Sequence, residues 1–129
     1  MTTEASWMTR GKGPRVVVVG PCASGKTTLV ENLKSVGVDA RVSGQEHSAI
    51  RNLWQRLEPD VLIALDLDLE TLRERRYPTW SASLYDVQHR RLEEAFEAAD
   101  VTIVTSETPE EDVLEVALAV IAHYRASSE

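Results

Sequence analysis

The sequence has one cysteine, no long apolar run and fewer basic than acidic residues. Cys22 alone cannot form an intrachain disulfide, which fits a reducing compartment. With 14 Lys and Arg against 21 Asp and Glu, the net charge is −7, which favours neither nucleic acid nor an anionic membrane as a partner. No stretch approaches membrane-spanning length, and the start of the chain shows no signal-peptide pattern. We therefore expect a soluble, cytoplasmic protein without nucleic-acid or membrane partners.

The length and composition are those of one small globular domain. The chain has 129 residues, of which 43% are hydrophobic and 27% are charged, enough for a single core. Residues 1–13 are polar, contain glycine and show no periodicity, which is typical of a flexible leader. We expect a single domain over residues 14–126.

The most informative segment is Gly20-Pro21-Cys22-Ala23-Ser24-Gly25-Lys26-Thr27, which matches the phosphate-loop pattern G-x-x-x-x-G-K-[ST]. It follows the β-branched run 16–19 and precedes a helical pattern, the context that this motif requires. In such a loop, backbone N–H groups and a helix N-terminus surround phosphate, the lysine reaches the β- and γ-phosphates, and the hydroxyl of Thr27 binds Mg²⁺. Because the sequence shows neither a base nor a metal ligand beside Cys22, we interpret Cys22 as a small residue that the loop tolerates. The segment predicts a nucleoside-triphosphate site formed by Gly20, Pro21, Cys22, Ala23, Ser24, Gly25, Lys26, Thr27 and Thr28.

Apolar runs alternate with helical patterns along the chain. The order β-α-β-α-β-α-α-β-α favours a three-layer α/β/α sandwich around a mostly parallel sheet, with ligands at the carboxyl ends of the strands. We predict strands at 15–19, 39–43, 61–65 and 101–104, and helices at 26–36, 48–58, 69–76, 82–99 and 110–124.

Two acidic segments follow predicted strands. After the second strand, Gln45 could orient a nucleophile, and Glu46 could hold a Mg²⁺-bound water or act as a general base. Asp66 ends the most apolar strand, as does the acid that reaches the Mg²⁺ shell in phosphate-loop proteins. The plainer interpretations are a strand-to-helix loop at 44–48 and a helix cap at Asp68. The predicted metal ligands are Thr27, Glu46 and Asp66.

Arg73, Arg75 and Arg76 form a basic group before the next helix. An arginine-bearing flap can close over a triphosphate and neutralise the transferred charge. The alternative is a solvated basic face paired with nearby glutamates. The catalytic candidates are Lys26, Gln45, Glu46, Asp66, Arg73 and Arg76.

From about residue 15 to residue 124, the chain resembles the P-loop kinases of small molecules, such as thymidylate, adenylate and shikimate kinases. The resemblance is carried by the loop and Thr28, by the segment 59–68, by arginines at the position of the lid helix, and by the segment 99–111. The last segment is similar to the final strand, the loop that passes the adenine and the start of the final helix. This resemblance implies ATP, Mg²⁺ and phosphoryl transfer to an acceptor.

A shorter stretch resembles small GTPases. Gly44-Gln45-Glu46, followed by Ile50-Arg51-Asn52-Leu53-Trp54, is similar to the switch II segment of Arf-like proteins. This resemblance implies that Gln45 faces the γ-phosphate region and positions a hydrolytic water, with GTP in place of ATP.

The sequence thus favours a Mg·ATP-binding protein that acts as a kinase-like phosphotransferase on a small molecule. Two alternatives stay open. One is a nucleotide hydrolase (ATPase or GTPase) that serves as a switch or regulatory module for a protein partner. The other is a nucleotide binder without turnover.

Overall fold

The computed structural model describes residues 13–128 and shows an α/β fold. The predicted leader lies outside the described residues, except for Gly13. No helix of the described chain is long and apolar enough to cross a membrane. In chain order, the elements are β1 (Arg15–Val19), α1 (Lys26–Ser35), β2 (Asp39–Val42), two 3-10 turns (Gln45–His47 and Leu53–Leu57), β3 (Val61–Asp66), α2 (Leu69–Arg75), α3 (Ala82–Ala98), β4 (Val101–Val104) and α4 (Glu110–Ser128).

The four strands form one parallel sheet in the order β2-β1-β3-β4. The central strands β1 and β3 consist almost entirely of buried apolar residues, whereas the edge strands β2 and β4 are partly exposed. Continuous apolar runs are expected of parallel strands that are covered on both faces. The sheet confirms the predicted α/β class and the predicted parallel pairing.

Helices cover both faces of this sheet. Val16 and Val18 of β1 belong to a core that includes residues of α1 and α4. Val17 and Val19 of the same strand belong to a second core, which includes residues of α3 and Trp54. Because successive side chains of a strand point to opposite faces, the four consecutive valines of β1 can fill both cores.

The segment between β2 and β3 is not the α-helix that its apolar spacing predicts over residues 48–58. It contains only the two 3-10 turns. The side chain of Gln45 binds backbone groups there, since Nε2 donates to the Ile50 carbonyl at 2.6 Å and Oε1 accepts the Trp54 N–H at 3.0 Å. Side-chain hydrogen bonds to the backbone compete with helix formation, and hydrophobic periodicity does not report them.

The carboxyl ends of the strands bring four segments of chain to one edge of the sheet. β1 leads into the Gly20–Thr27 loop, β2 into the first 3-10 turn, β3 ends at Asp66, and β4 is followed by Thr105. The neighbours of β1 are β2 on one side and β3 on the other. In open parallel sheets, a crevice forms where successive connections diverge in this way. The candidate site lies at this edge.

Candidate functional site

The Gly20–Thr27 loop turns tightly between β1 and α1. Gly20 has no room for a side chain, because an added Cβ would lie 2.6 Å from Ser24 Oγ and 2.7 Å from the carbonyl oxygen of Leu65. Ala23 and Gly25 have φ angles of 66° and 100°, in the left-handed region that favours glycine. The first glycine of the motif therefore has a steric reason and the second a conformational one.

Side chains from outside the loop hold its backbone. The Thr105 hydroxyl, just after β4, donates to the carbonyl oxygen of Ser24 at 2.9 Å. Arg75, at the end of α2, donates to the carbonyl oxygen of Ala23 at 3.0 Å. The same guanidinium donates to both the hydroxyl and the carbonyl oxygen of Thr105, at 3.1 and 2.7 Å. These contacts fix the loop in its turned conformation.

Gln88 of α3 adds a further contact from the opposite side. Its Oε1 accepts the N–H of Cys22 at 3.0 Å, and its Nε2 donates to Cys22 Sγ at 3.2 Å. Gln88 is only 3% exposed, and a buried amide needs hydrogen-bond partners within the protein. Through Gln88, the position of the Cys22 sulfur depends on the packing of α3.

Lys26 and Glu46, two of the predicted site residues, form a buried ion pair. Lys26 Nζ lies 2.8 Å from Glu46 Oε2 and donates to the carbonyl oxygens of Gly20 and Pro21 at 2.8 and 3.1 Å. The two side chains are 10% and 4% exposed. The other carboxylate oxygen, Glu46 Oε1, is buried and accepts no hydrogen bond. A buried carboxylate oxygen without a partner is uncommon in proteins and marks the point as a place for a ligand.

Two cavities flank the loop and share Ala23, Gly25, Thr28 and Arg76 in their linings. The β4-side cavity has a volume of about 360 Å³, and the β2-side cavity about 520 Å³. Both volumes fall within the range of small-molecule sites, roughly 300–1,000 Å³. The β4-side cavity is also lined by Ser24, Leu29, Asn32, Arg75, Thr105, Thr108, Glu110 and Val113. The β2-side cavity is also lined by Cys22, Lys26, Thr27, Val42, Gly44, Glu46, His47, Tyr77 and Trp80.

Gln45 does not occupy the position that the sequence predicts for it. It is completely buried, and its Nε2 donates to the carbonyl oxygens of Ile50 and Arg91, at 2.6 and 3.2 Å. Its Oε1 accepts the N–H of Trp54. The amide thus links the turns after β2 to α3, and it has no free group with which to orient a nucleophile or a water.

Asp66 pairs with His89 of α3, a residue that the sequence analysis does not single out. Asp66 Oδ1 lies 2.7 Å from His89 Nε2 and also accepts the N–H of Leu67 at 2.8 Å. His89 Nδ1 lies 2.9 Å from the carbonyl oxygen of Tyr85. The hydrogen bond to Asp66 raises the pKa of His89, against the opposing effect of burial and with help from the Tyr85 carbonyl. Both ring nitrogens face acceptors, which only the imidazolium form can satisfy as a double donor.

The three arginines of the basic group have different partners. Arg73 Nε donates to the carbonyl oxygen of Trp80 at 2.9 Å and so holds the turn after α2. In this turn the rings of Tyr77 and Trp80 stack, with centroids 4.7 Å apart. Arg75 binds the loop, as described above, and Arg76 lines both cavities. Of the two arginines predicted to be catalytic, the structure therefore brings Arg76 to the loop, whereas Arg73 supports a turn.

Asp68 caps a helix, as the sequence suggests. Its Oδ1 accepts the N–H of Thr71 at 2.7 Å and caps the N-terminus of α2. This hydrogen bond lowers the pKa of Asp68.

The sequence does not identify Gln88 and His89 as residues near the site. Both lie in the middle of α3, and their partners are separated from them by 66 and 23 residues. A polar residue within an amphipathic helix gives no sign of such a partner. The one available signal is that Gln88 falls on the stripe of α3 that also contains the buried Leu92 and Ala95, where a polar residue requires a hydrogen bond.

Comparison of the chain with protein-family models, curated proteins and solved structures finds no match. The assignment of a function therefore depends on the motif and on the geometry of the site.

Proposed function

We propose that this chain is a P-loop nucleotide-binding protein that uses Mg·ATP as a kinase-like phosphotransferase on a small molecule. The observation that carries the proposal is the Gly20–Thr27 loop. Its sequence matches the phosphate-loop pattern, and its turn follows a central parallel strand and ends with Lys26 at the first position of α1. In this arrangement, backbone N–H groups and the positive end of a helix dipole bind phosphate.

The two cavities support a division of the site into a nucleoside part and an acceptor part. In the proposal, the β4-side cavity holds the nucleoside, and the β2-side cavity holds the γ-phosphate and the acceptor. Arg76 lines both cavities, so it can neutralise charge on the transferred phosphoryl group. Tyr77 and Trp80 give the β2-side cavity an apolar wall against which a small acceptor can pack.

The residues of the β2-side cavity fit a magnesium ion bound with the triphosphate. Mg²⁺ prefers oxygen ligands, and this cavity is lined by the exposed Thr27 and by Glu46, whose Oε1 has no hydrogen-bond partner. We assign the Mg²⁺ contacts to Thr27 and Glu46. Asp66 holds His89 through the oxygen that also accepts the Leu67 N–H, so we assign it a supporting role. When bound, Mg²⁺ neutralises charge on the β- and γ-phosphates.

Lys26 changes partners in this proposal. Its ammonium group lies against Glu46 Oε2 and two carbonyl oxygens. A triphosphate offers Lys26 a more highly charged acceptor, and Lys26 then stabilises the β- and γ-phosphates during transfer. Once Lys26 has turned to the phosphates, Glu46 Oε2 is the carboxylate oxygen of the β2-side cavity that can accept the proton of an acceptor hydroxyl, while Oε1 is the oxygen assigned to Mg²⁺.

The buried position of Gln45 weighs against the GTPase-like alternative. That alternative requires an amide that can hold a water next to the γ-phosphate. Three backbone hydrogen bonds occupy the Gln45 amide, so we do not propose a switch of this type.

Calorimetric titration of Mg·ATP into loop variants tests the proposal. Lys26→Met removes a charge-assisted contact to phosphate and should weaken binding about tenfold to hundredfold. Lys34→Met removes an exposed lysine from the last turn of the same helix and should bind like the wild type. Equal affinity of the two variants for Mg·ATP would refute the assignment of the site.

A second variant separates the metal contact from the phosphate contact. Thr27→Val preserves the shape of an exposed side chain and removes its hydroxyl. It should weaken binding of ATP in the presence of Mg²⁺ but not in its absence, because the hydroxyl serves the metal. Formation of ADP that depends on an added small-molecule acceptor then identifies the reaction as a phosphotransfer. ADP formed at the same rate without an acceptor indicates a hydrolase instead.

A further inference from the structure

Side chains of three different types meet at the edge of the β2-side cavity. Cys22 Sγ lies 3.9 Å from His47 Nε2, which lies 3.4 Å from Glu46 Oε2. One possible ligand atom from each residue lies within 4.8 Å of the other two. Cys22 belongs to the loop after β1, and the other two belong to the turn after β2. The structure thus places two residues with possible ligand atoms beside Cys22, which the sequence does not show.

The separations between these atoms suit a tetrahedral divalent cation. With Zn–N and Zn–O bonds of about 2.0–2.2 Å and a Zn–S bond of about 2.3 Å, tetrahedral angles place N and O about 3.4 Å apart, and N and S about 3.6 Å apart. In this structure His47 Nε2 lies 3.4 Å from Glu46 Oε2 and 3.9 Å from Cys22 Sγ. As direct hydrogen bonds these contacts are long and therefore weak. The contacts within the protein alone give little reason for the grouping.

Glu46 supplies an independent observation. Its side chain is 4% exposed, and Lys26 balances its charge through Oε2 alone. Oε1 is buried without any hydrogen-bond partner. Burial of a charged oxygen in this state costs free energy unless a cation or a donor reaches it. A cation bound by the Glu46 carboxylate next to Cys22 and His47 would offset this cost.

Gln88 gives the sulfur the kind of outer contact that metal sites use. Its amide fixes both the N–H and the Sγ of Cys22, at 3.0 and 3.2 Å. Hydrogen bonds from a neighbouring layer of residues orient the ligands of metal sites and contribute substantially to affinity. The sulfur is therefore held in place before any metal arrives.

We propose that Cys22, Glu46 and His47 form a binding site for a thiophilic divalent cation such as Zn²⁺. Sulfur and imidazole ligands select zinc over magnesium, so this site differs in its metal preference from the proposed Mg²⁺ contacts, with which it shares Glu46. On binding, the Cys22 thiol loses its proton to solvent, and the fourth coordination position opens to the cavity.

Occupation of this site opposes nucleotide binding, a consequence that rests on the proposed function. The cation and the proposed Mg²⁺ ion use the same carboxylate, because Glu46 is assigned to both. A Mg²⁺ ion that enters with the triphosphate then lacks one of its two protein ligands. Because coupling between two ligands is reciprocal, Zn²⁺ weakens Mg·ATP binding by the same factor by which Mg·ATP weakens Zn²⁺ binding.

Titration of Co²⁺ into the full-length, nucleotide-free protein tests the site directly, with a reductant that does not bind metals. The chain has a single cysteine, so a near-ultraviolet thiolate-to-cobalt charge-transfer band can come only from Cys22. We expect this band with visible absorption typical of tetrahedral Co²⁺, and we expect one equivalent of Zn²⁺ to abolish both. Absence of the charge-transfer band in the wild type would overturn the proposal.

Three variants and one control identify the ligands. Cys22→Ser should lose the charge-transfer band, and His47→Ala should bind Co²⁺ at least about tenfold more weakly. Gln88→Leu should keep the band with an affinity about tenfold lower, since it removes only the outer contact. His123→Ala removes an exposed imidazole on α4 and should titrate like the wild type. An unchanged affinity in His47→Ala would contradict the site, and His47 is exposed enough that its loss should leave the fold intact.

The failures of the two proposals are distinguishable. Cobalt binding without any binding of Mg·ATP supports the cation site and refutes the nucleotide function. Binding of Mg·ATP without cobalt binding does the reverse. If both ligands bind and neither changes the affinity of the other, the cation site stands and its antagonism with nucleotide is refuted.

Discussion

Replacement of Lys26 by methionine removes the ammonium group from a buried ion pair and leaves most of the aliphatic stem in place. Glu46 would then keep its buried carboxylate without its main partner. Its remaining neighbour is His47 Nε2, at 3.4 Å. Replacement of Glu46 by glutamine is a milder change, because the Lys26 ammonium still donates to two carbonyl oxygens of the loop.

The two substitutions should therefore lower the free energy of unfolding by different amounts. Breaking a buried pair by removing one partner costs about 3–5 kcal/mol, and we expect about 3 kcal/mol for Lys26→Met because the pair borders a cavity. Glu46→Gln should cost about 1 kcal/mol, the worth of one hydrogen bond. The double variant no longer buries an unpaired charge, so it should cost about 2 kcal/mol, where additivity would give about 4.

Urea unfolding followed by circular dichroism measures these free energies at neutral pH. For a domain of this size, a loss of about 3 kcal/mol also lowers the melting temperature by about 12 °C. Lys34→Met, at an exposed position of α1, should change stability by less than about 0.5 kcal/mol. Equal stabilities of the Lys26 and Lys34 variants, or additive effects in the double variant, would refute the buried pair as a source of stability.

Three further predictions use the same unfolding assay. Gln45→Ala should destabilise the protein by about 2–3 kcal/mol, because it leaves three backbone groups without their hydrogen bonds; a catalytic role alone would leave stability unchanged. Gly20→Ala should cost about 1–3 kcal/mol through overlap with the neighbouring hydroxyl and strand carbonyl, whereas Gly44→Ala, which meets nothing within 4 Å, should cost little. The pKa of His89 is raised in the folded state, which therefore holds the imidazole proton more tightly than the unfolded state does. The contribution of His89 to stability is complete below about pH 6.5, and it is lost as the pH rises through the higher pKa of the folded state. The stability difference between wild type and His89→Gln should therefore shrink as the pH rises above about 6.5, and a difference that stays constant with pH would contradict the pairing of His89 with Asp66.

The sequence predicts those parts of the fold that local patterns determine. The apolar runs of β1 and β3 are continuous because a parallel strand between two helical layers has no polar face. The helix bounds agree closely for α1, α2 and α3, and α4 extends to residue 128, beyond the predicted end at 124. The cap at Asp68 and the left-handed Gly37 after α1 are likewise set by short-range chemistry.

The predictions fail where a polar side chain forms a hydrogen bond that the spacing of apolar residues does not report. The spacing of apolar residues from Ile50 to Leu57 favours an α-helix, yet one buried glutamine at position 45 binds the backbone there and leaves two 3-10 turns. The contacts of Gln88 and His89 cross from α3 to the ends of strands. Neither partner can be identified before the tertiary arrangement is known.

The residues of the site are likewise predictable only in part. The loop motif identifies Lys26, and the position of Glu46 after a neighbouring strand correctly suggests that the two lie close together. The motif does not indicate that Arg75 would bind the loop while Arg73 supports a turn, since the two residues are equivalent in charge and lie two positions apart. Their direction around α2 decides their roles, and that direction depends on how α2 packs.

Calorimetric titration of ATP and of GTP, each with Mg²⁺, into the wild-type protein tests the central claim most directly. The Gly20–Thr27 loop predicts one site per chain, and the proposed kinase-like function predicts that ATP binds more tightly than GTP. Preference for GTP would contradict the kinase-like function and return attention to the segment 44–54. Binding of neither nucleotide would contradict the assignment of the Gly20–Thr27 loop as a nucleotide site.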